Sequence, residues 1–513
     1  MAGAALKPPG LQAEPDFADI QGLVRFAHAR LTEARLLLLR IVDRKAAGAW
    51  LAAAPVTTAA KAEPLPEAAL QIAFTSAGLR ALGLPEGVMA GFSSEFLAGI
   101  AGDEARSRRL GDVGTNAPSN WDWGGPGREP HLLLLLYALP GGLARWQASV
   151  QDETWNHAFS VLASLSTSDM GGVEPFGFRD GISQPKVDWA LERQGTPDAQ
   201  TDYGNLVALG EFVLGYPNEY GQYTDRPLLD PAADPQASLP PAPDLPGMRD
   251  LGRNGTYLVL RDLRQDVRGF WQYLDKQAAG SAEQRRRLAQ AMVGREISGA
   301  PLVAPVVQPI AGVNSKPNEP ANQFTFDGDA DGVRCPLGAH IRRANPRNAD
   351  LPGGATGFVM RVLRVLGFGI PGRRGDLVAA VRFHRILRCG REYGPFLSPD
   401  DALQPATTEE DRGLRFICLN ANITRQFEFV QNAWLARTKF DGLTGESDPL
   451  LGNREPIPGC PATDTFSLPQ PGSVARRLTG LPQLVTVRGG AYFFLPGIRT
   501  LRYLSGIAEG DGT

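Results

Sequence analysis

Five histidines occur along the chain, too few to build a histidine-rich zinc or copper centre, and His340 has the most distinctive surroundings. Gly338 and Ala339 precede it, so a flat cofactor can approach the backbone on that side. Arg342 and Asn345 follow closely, and arginine binds carboxylates, such as haem propionates, through two parallel hydrogen bonds. A core histidine followed by a basic helix start explains the same residues, so both interpretations stay open at this point. Three other histidines are typical of structural or surface positions: His28, His131 and His157. His384 lies in an expected strand and is a weaker ligand candidate than His340.

Asp180 lies in a second segment, residues 175–185, where Gly177 and Gly181 flank an arginine–aspartate pair. An aspartate in such a loop commonly caps a backbone amide, which is the structural interpretation. The functional interpretation has Asp180 project from a narrow loop into a cavity. The residue types alone favour the structural interpretation.

Arg388 belongs to a third segment, residues 384–395, which has the residue types of a strand followed by a turn. Alternation along a strand places Arg388 on the same face as Ile386 and His384. An arginine at the end of a strand can bind an anion or form one half of a salt bridge. The segment by itself does not separate these two roles.

Taken together and in this order, the three segments resemble the dye-decolourising peroxidase family. Their motifs are Gly-x-x-Asp-Gly, Cys-Pro-x-x-Ala-His-Ile-Arg-x-x-Asn-Pro-Arg and Arg-Ile-Leu-Arg-x-Gly-x-x-Tyr-Gly. Four further segments look like the family: residues 19–22, 413–416, 427–431 and 488–494. The resemblance covers residues 18–505 and is closest to the longer bacterial and fungal branches, judging by insertions near residues 196–250 and 349–380.

The resemblance implies an α+β fold of two ferredoxin-like domains, with antiparallel sheets and flanking helices, as in the dimeric α+β barrel superfamily. The implied N-terminal domain, residues 18–195, carries the loop with Asp180. Residues 196–254 form a proline-rich insertion or linker, and residues 255–505 form the haem-binding domain.

Carried over position by position, the resemblance makes His340 the proximal ligand of haem b iron, Asp180 the distal carboxylate and Arg388 the distal arginine. Four further haem contacts are implied: Leu414 and Phe416 over the distal face, and Arg342 and Asn345 near the ligand. Two departures are Cys389, where the family often has a second arginine, and the spacing of 48 residues between His340 and Arg388.

An acidic partner for the His340 imidazole N–H would raise the basicity of this ligand. Asp448 is the first candidate and Glu428 the alternative. Asp448 also suits loop capping, and Glu428 also suits a solvent-exposed position.

The implied activity is that of a peroxidase, which reduces hydrogen peroxide through a ferryl intermediate and oxidises bulky dyes, phenols or other organic reductants. Asp180, with an ordinary pKa of about 4, can take a proton from peroxide and return it, which predicts an acidic pH optimum. Arg388 stays charged and stabilises developing negative charge. The alternative is a haem-handling, iron-releasing or haem-sensing protein, which would bind haem but turn over peroxide poorly.

Bulky dyes cannot reach a buried iron, so a surface tryptophan or tyrosine is expected to pass the oxidising equivalent outward. The tryptophans show no pattern that selects one of them; examples are Trp121, Trp123, Trp271 and Trp434.

Composition limits the partners and the compartment. A net charge of −3 over 513 residues gives no global basic field, so nucleic acid is not an expected partner. The apolar runs at 36–41 and 132–137 are too short to span a bilayer, and no signal peptide or twin-arginine signal is seen. Four cysteines without Cys-x-x-Cys spacing predict neither a zinc site nor a disulfide framework. These features predict a cytoplasmic protein, with homo-oligomer formation left open.

The elements that must position these residues follow from periodicity. Strands are expected at 21–24, 70–74, 131–139, 255–260, 412–419 and 491–495. Helices are expected at 31–44, 46–54, from 76 (capped by Ser76) to 82, 143–150, 267–277 and 423–436. The alternation indicates antiparallel sheets with helices on one face.

Overall fold

The computed structural model describes residues 14–193, 205–303, 321–347, 381–406, 408–456 and 463–510. Its strands are, in chain order, β1 Glu33–Ile41, β2 Ala68–Phe74, β3 Leu132–Ala138, β4 Phe159–Ser166, β5 Lys186–Asp188, β6 Leu206–Ala208, β7 Leu228–Leu229, β8 Arg249–Asp250, β9 Thr256–Gln265, β10 Leu387–Arg388, β11 Arg391–Tyr393, β12 Gly413–Asn420, β13 Lys439–Phe440, β14 Leu443–Thr444, β15 Phe466–Gln470, β16 Ser473–Leu478 and β17 Val485–Leu495.

The α-helices are Leu23–Phe26, Arg44–Ala53, Ser76–Ala81, Glu86–Met89, Ser94–Ala98, Glu104–Leu110, Leu143–Val150, Glu153–Ala158, Val267–Gln277, Ala282–Val293, His340–Ala344, Pro399–Ala402 and Ile498–Glu509. Wider π-helical turns follow β12, at Thr424–Glu428 and Val430–Ala436. Short 3-10 turns occur at Gly114–Asn116, Pro118–Asn120, Leu209–Glu211, Pro231–Ala233, Asp327–Asp329 and Val381–His384.

One large sheet runs through both halves of the chain, in the order β4-β1-β3-β2-β17-β9-β12-β10, with β11 also paired to β12. The first four strands and the last four have the same connectivity, each half reading strand, helix, two strands, helix, strand. Within each half the strands lie in the order fourth, first, third, second, which is the ferredoxin-like arrangement. The two α+β halves expected from the sequence are therefore confirmed, and the described sheet stays open rather than closing into a barrel.

The halves meet where β2 pairs with β17, with Phe74 opposite Phe494. Because strands from both halves share this sheet, the division at residues 195 and 254 stays a prediction. Part of the 196–250 insertion and all of residues 349–380 lie outside the described residues.

Both faces of the sheet are buried. Helices such as Arg44–Ala53 and Ile498–Glu509 pack on one face, and their residues share a core with Leu37 and Leu39. Irregular segments, including residues 207–216, cover the other face, where they pack against Leu36 and Leu38. The sequence predicted helices on one face of the sheet, and this is confirmed for the face that contains Leu37 and Leu39.

Two sequence-based assignments are wrong. Residues 33–41 form β1 rather than a helix. A strand buried on both faces has apolar residues at consecutive positions, here Leu36–Leu39, and such a run also matches a helical spacing. Residues 23–26 form a short helix rather than an extended segment. A smaller correction concerns the helix Ser76–Ala81, whose N-cap is Thr75: its hydroxyl accepts the Gly78 N–H.

Within the described ranges, no helix has both the length and the apolar character required to cross a membrane. The three described cysteines, Cys335, Cys389 and Cys418, are buried free thiols. Cys460 lies outside the described residues.

Candidate functional site

A cavity of about 260 Å³ lies against the C-terminal half of the sheet. Its floor comes from β9, β12 and β17, and its walls come from the helix His340–Ala344, the π-helical segment and the loop that carries Asp180. The cavity therefore brings together segments that are far apart in the chain. Residues that line it include Asp180, His340, Asn345, Arg388, Leu414 and Phe416.

His340 is the first residue of its helix, and its side chain is 26% exposed, on the cavity side. Its Nδ1 atom lies 2.9 Å from Asp448 Oδ2. An ionised carboxylate can only accept, so Nδ1 carries the hydrogen, and in the neutral imidazole the lone pair therefore lies on Nε2. This is the state in which a histidine can ligate a metal through Nε2.

Asp448 is fully buried, and its second carboxylate oxygen also accepts hydrogen bonds. Its Oδ1 accepts the backbone N–H groups of Leu450 at 2.9 Å and Leu451 at 2.8 Å. Burial acts to raise the pKa of Asp448, but the charge and hydrogen bond of His340 hold it below its ordinary value. Burial acts to lower the pKa of His340, but the charge and hydrogen bond of Asp448 outweigh burial, so this pKa lies above its ordinary value.

Glu428, the alternative acidic partner, is not brought to His340. Its Oε1 lies 2.9 Å from Arg106 Nε and accepts the hydroxyl of Tyr492 at 2.9 Å. The structure therefore selects Asp448 as the acidic neighbour of His340.

Asp180 and Arg388 meet across the cavity wall. Arg388 Nη1 donates to Asp180 Oδ1 at 3.0 Å, and the two side chains are 28% and 35% exposed. Burial alone would raise the pKa of Asp180, but the Arg388 charge, followed by a Gly181 backbone hydrogen bond, keeps it below its ordinary value. Asp180 therefore stays ionised at lower pH than an ordinary aspartate. Its Oδ2 has no side-chain partner among the described residues.

Leu414 and Phe416 line the cavity from β12, whereas Arg415 between them pairs with Asp262 on the opposite side. This follows from the alternation of side chains along a strand. Asn345 also lines the cavity, and within the part of the chain that the structure describes its buried Oδ1 has no hydrogen-bond partner.

Arg342 does not reach the cavity. Its Nη1 donates to the backbone carbonyls of Asp329 and Cys335, both at 2.9 Å, and its guanidinium lies 4.5 Å from the centre of the Phe326 ring. The predicted contact between Arg342 and the cofactor is therefore replaced by a structural role in the loop before His340.

Cavity residues that were not identified as site residues from the sequence include Glu174, Arg295, His384 and Arg385. Glu174 and Arg385 belong to the segments of Asp180 and Arg388, so their proximity in sequence was an available clue. His384 was assigned to a strand but ends a 3-10 turn; its ring stacks on Phe429 at 3.7 Å, and Nδ1 donates to the Arg425 carbonyl. Nothing in the sequence near Arg295 pointed to the site.

Arg385 supplies a positive charge at the cavity wall. It is 5% exposed, and one of its terminal nitrogens, Nη2, is buried without a hydrogen-bond partner among the described residues. A buried unsatisfied guanidinium nitrogen indicates a missing acceptor. A carboxylate of a cofactor is an acceptor of suitable charge and geometry.

The four tryptophans named above are all buried, at 6% exposure or less, so none of them provides the expected surface position. Across the described ranges, no group of three or more His, Cys, Asp or Glu side chains is arranged to hold a metal ion.

No protein-family model matches the chain. Among curated proteins it is similar to the dye-decolorizing peroxidase AauDyP1 of Auricularia auricula-judae, with 30% identity over 467 residues, which is 87% of this chain and 78% of the relative. The multifunctional dye peroxidase DyP2 of an Amycolatopsis species is 30% identical over 358 residues, 66% of this chain and 62% of the relative.

Solved structures agree with these relatives. A fungal DyP-type peroxidase from Auricularia auricula-judae superimposes with a TM-score of 0.69 at 27% identity, covering 96% of this chain and 100% of the other. A dye-decolorizing peroxidase in complex with 2,6-dimethoxyphenol gives a TM-score of 0.69 at 25% identity, with coverage of 96% and 99%.

Proposed function

Since the chain belongs to the dye-decolorizing peroxidase family, and is therefore a haem-dependent enzyme that uses peroxide to oxidise organic substrates, we propose that His340, Asp180 and Arg388 carry out this reaction on haem b. One observation supports the proposal most directly: the His340 imidazole, whose Nδ1 is bonded to Asp448, and the Asp180–Arg388 ion pair line the same cavity.

The donor set fits a haem. His340 offers one neutral nitrogen, and apolar side chains such as Leu414, Phe416 and Val430 line the cavity. The unpartnered Arg385 Nη2 suits a propionate, in place of the Arg342 expected from the sequence. When bound there, haem supplies the redox-active iron at which peroxide is reduced.

Asp180 acts as the proton carrier in the proposed reaction. Its Oδ1 is held by Arg388, so Oδ2 is the atom that takes a proton from one peroxide oxygen and returns it to the departing oxygen, directly or through a water. The lowered pKa keeps this base ionised in mildly acidic solution. This supports the acidic pH optimum predicted from the sequence.

Arg388 has two tasks. It fixes the orientation of Asp180, and its permanent charge stabilises the peroxide anion and the negative charge that develops on the leaving oxygen. Asp448, on the other side of His340, holds the imidazole in one tautomer and increases its basicity as a ligand.

Haem titration of the purified chain tests the assignment of the ligand. The wild type and His157→Ala, which changes an exposed histidine, are expected to bind haem with the same affinity. His340→Ala is expected to lose the histidine-ligated absorption spectrum. Wild-type haem binding that survives unchanged in His340→Ala would contradict the assignment, and haem that is only bleached by peroxide would favour a haem-handling role.

A further inference from the structure

Glu174 is a carboxyl group in the cavity wall that the proposed reaction does not use. It lies six residues before Asp180, in the same loop. Three N–H groups donate to its carboxylate: Phe176 and Phe178 from the backbone at 3.0 Å each, and Gln265 Nε2 at 2.9 Å. This is an unusually complete set of partners for a side chain outside the reaction.

The two bonds from Phe176 and Phe178 close the loop on itself. The Glu174 N–H also donates to the Phe178 carbonyl at 2.8 Å, and the Gly177 N–H donates to the Glu174 carbonyl at 2.8 Å. Residues 174–178 therefore form a turn with the carboxylate at its centre. Asp180 follows two residues later, and its own N–H donates to Gly172 O at 3.0 Å.

Gln265 connects this turn to the sheet. It is the last residue of β9, is 5% exposed, and pairs in register with Val485 of β17. Neighbouring β9 residues line the cavity floor. The distance between Asp180 and the floor thus depends on the contact between Glu174 and Gln265.

On the basis of the function proposed above, we propose that Glu174 is a positioning residue, whose carboxylate ties the Asp180 loop to β9 and sets where Asp180 meets peroxide. Burial raises the pKa of Glu174 to about 7, and the nearby Asp180 charge adds to this rise. Above this pKa the ionised carboxylate offers two acceptor oxygens to the three N–H groups, so the positioning role is tested at a pH above that value. An apolar residue could not accept these three N–H groups.

No other side chain meets this requirement for two acceptor oxygens at the same length. Glutamine has the same shape but only one acceptor oxygen, and its amide would face N–H donors. Aspartate keeps both oxygens and the charge but is one methylene shorter. The two substitutions therefore separate shape from charge.

The experiment uses the haem-loaded full chain and measures the second-order rate constant for hydrogen peroxide, the KM for a phenolic reductant and the rate of haem loss. Glu174→Gln and Glu174→Asp are expected to react about 10- to 100-fold more slowly with peroxide, since small misplacements of a catalytic group can cost about 100-fold. The KM for the reductant and the rate of haem loss are expected to stay unchanged.

Glu392→Gln is the matched control, because Glu392 is a half-buried carboxyl that interacts electrostatically with Asp180 but accepts no amide of the loop among the described residues. It is expected to stay within about twofold of the wild type. Equal slowing in this control would show a general charge effect and overturn the positioning role. Rates within twofold of the wild type in both Glu174 variants would also overturn it.

Gln265→Met decides the matter if the Glu174 variants fail to fold, since it removes one donor and keeps the side-chain length. A loss of about three- to tenfold with haem retained supports the proposal, and no loss overturns it. A wild type that binds haem but does not react with peroxide contradicts the proposed function instead, and the positioning role falls with it.

Discussion

At the scale of single residues, the proposed site contains two carboxylates with different surroundings. Asp448 is buried, receives three hydrogen bonds and serves the imidazole of His340. Asp180 is partly exposed to the cavity, and its Oδ2 has no side-chain partner among the described residues. The buried and fully bonded Asp448 is suited to keep its negative charge. The partly exposed Asp180 is suited to accept and release a proton.

The first prediction concerns the pKa of Asp180. A lowered pKa means that the base is present above that pKa and is lost only as the pH falls through it. Arg388→Leu removes the charge that lowers this pKa, so the acid limb of the peroxide rate should move to higher pH, and the rate should also fall. Stopped-flow rates across a pH series measure both effects. Arg388→Lys keeps the charge and should leave the acid limb near its wild-type position; equal profiles for Leu and wild type would contradict the assignment.

The second prediction concerns the support of His340. Asp448→Asn removes the anion beside the imidazole, and loss of such a partner typically costs about 10- to 100-fold in metal affinity or activity. Haem dissociation and peroxide rates measure this loss. Glu428→Gln is the control, because Glu428 contacts Arg106 and Tyr492 instead. A larger loss in Glu428→Gln than in Asp448→Asn would reverse the assignment.

At the scale of elements, two features position the site: the strand β12, and the contact between β2 and β17. β12 presents Leu414 and Phe416 to the cavity and turns Arg415 away. The β2–β17 contact joins the two halves, so that the loop of the first half can reach a cavity built mainly by the second.

The third prediction tests that contact. Phe494 is fully buried, lies opposite Phe74 and packs against Phe92 and Tyr257. Phe494→Ala should lower the free energy of unfolding by about 3–5 kcal/mol, through lost burial and the cavity left behind. Denaturant unfolding measures this. Val474→Ala, at an 86% exposed position, should change it by less than about 0.5 kcal/mol; similar losses in both variants would count against a shared core.

The sequence predicted an element correctly where the pattern within one segment allows only one structure. It failed where the structure depends on which distant segments pack against that segment or bind its side chains. The β3, β9 and β12 strands and the order of the three motifs could be read directly. The leucines of β1 match both a helix and a doubly buried strand, and the sequence does not say which faces are covered. Arg342 looked like a cofactor contact because adjacency in sequence does not give the direction of a side chain, and only the fold shows that it points to the loop.

At the scale of the whole molecule, two α+β halves with the same strand order form one sheet, and the candidate haem site lies on its C-terminal part. The loop that carries Asp180 comes from the first half, and the helix that begins at His340 comes from the second. Binding of a cofactor in this cavity therefore links the stability of both halves.

The fourth prediction follows from that linkage. A ligand that binds only the folded state adds about 2.7 kcal/mol of stability when present at 100 times its Kd. Saturating haem should raise the unfolding midpoint of the wild type in both halves together, as seen by thermal or denaturant unfolding. His340→Ala should show little of this increase. An equal increase in this variant would place the haem elsewhere.

The most direct test of the central claim is the reaction of the haem-loaded protein with one equivalent of hydrogen peroxide, followed by stopped-flow absorbance in the wild type and Asp180→Asn. The account predicts a rapid spectral change in the wild type and a change slowed by about 100-fold or more in the variant, whose amide cannot accept the proton. Peroxide reaction at the wild-type rate in Asp180→Asn, with haem bound through His340, would contradict the claim that this carboxylate is the base.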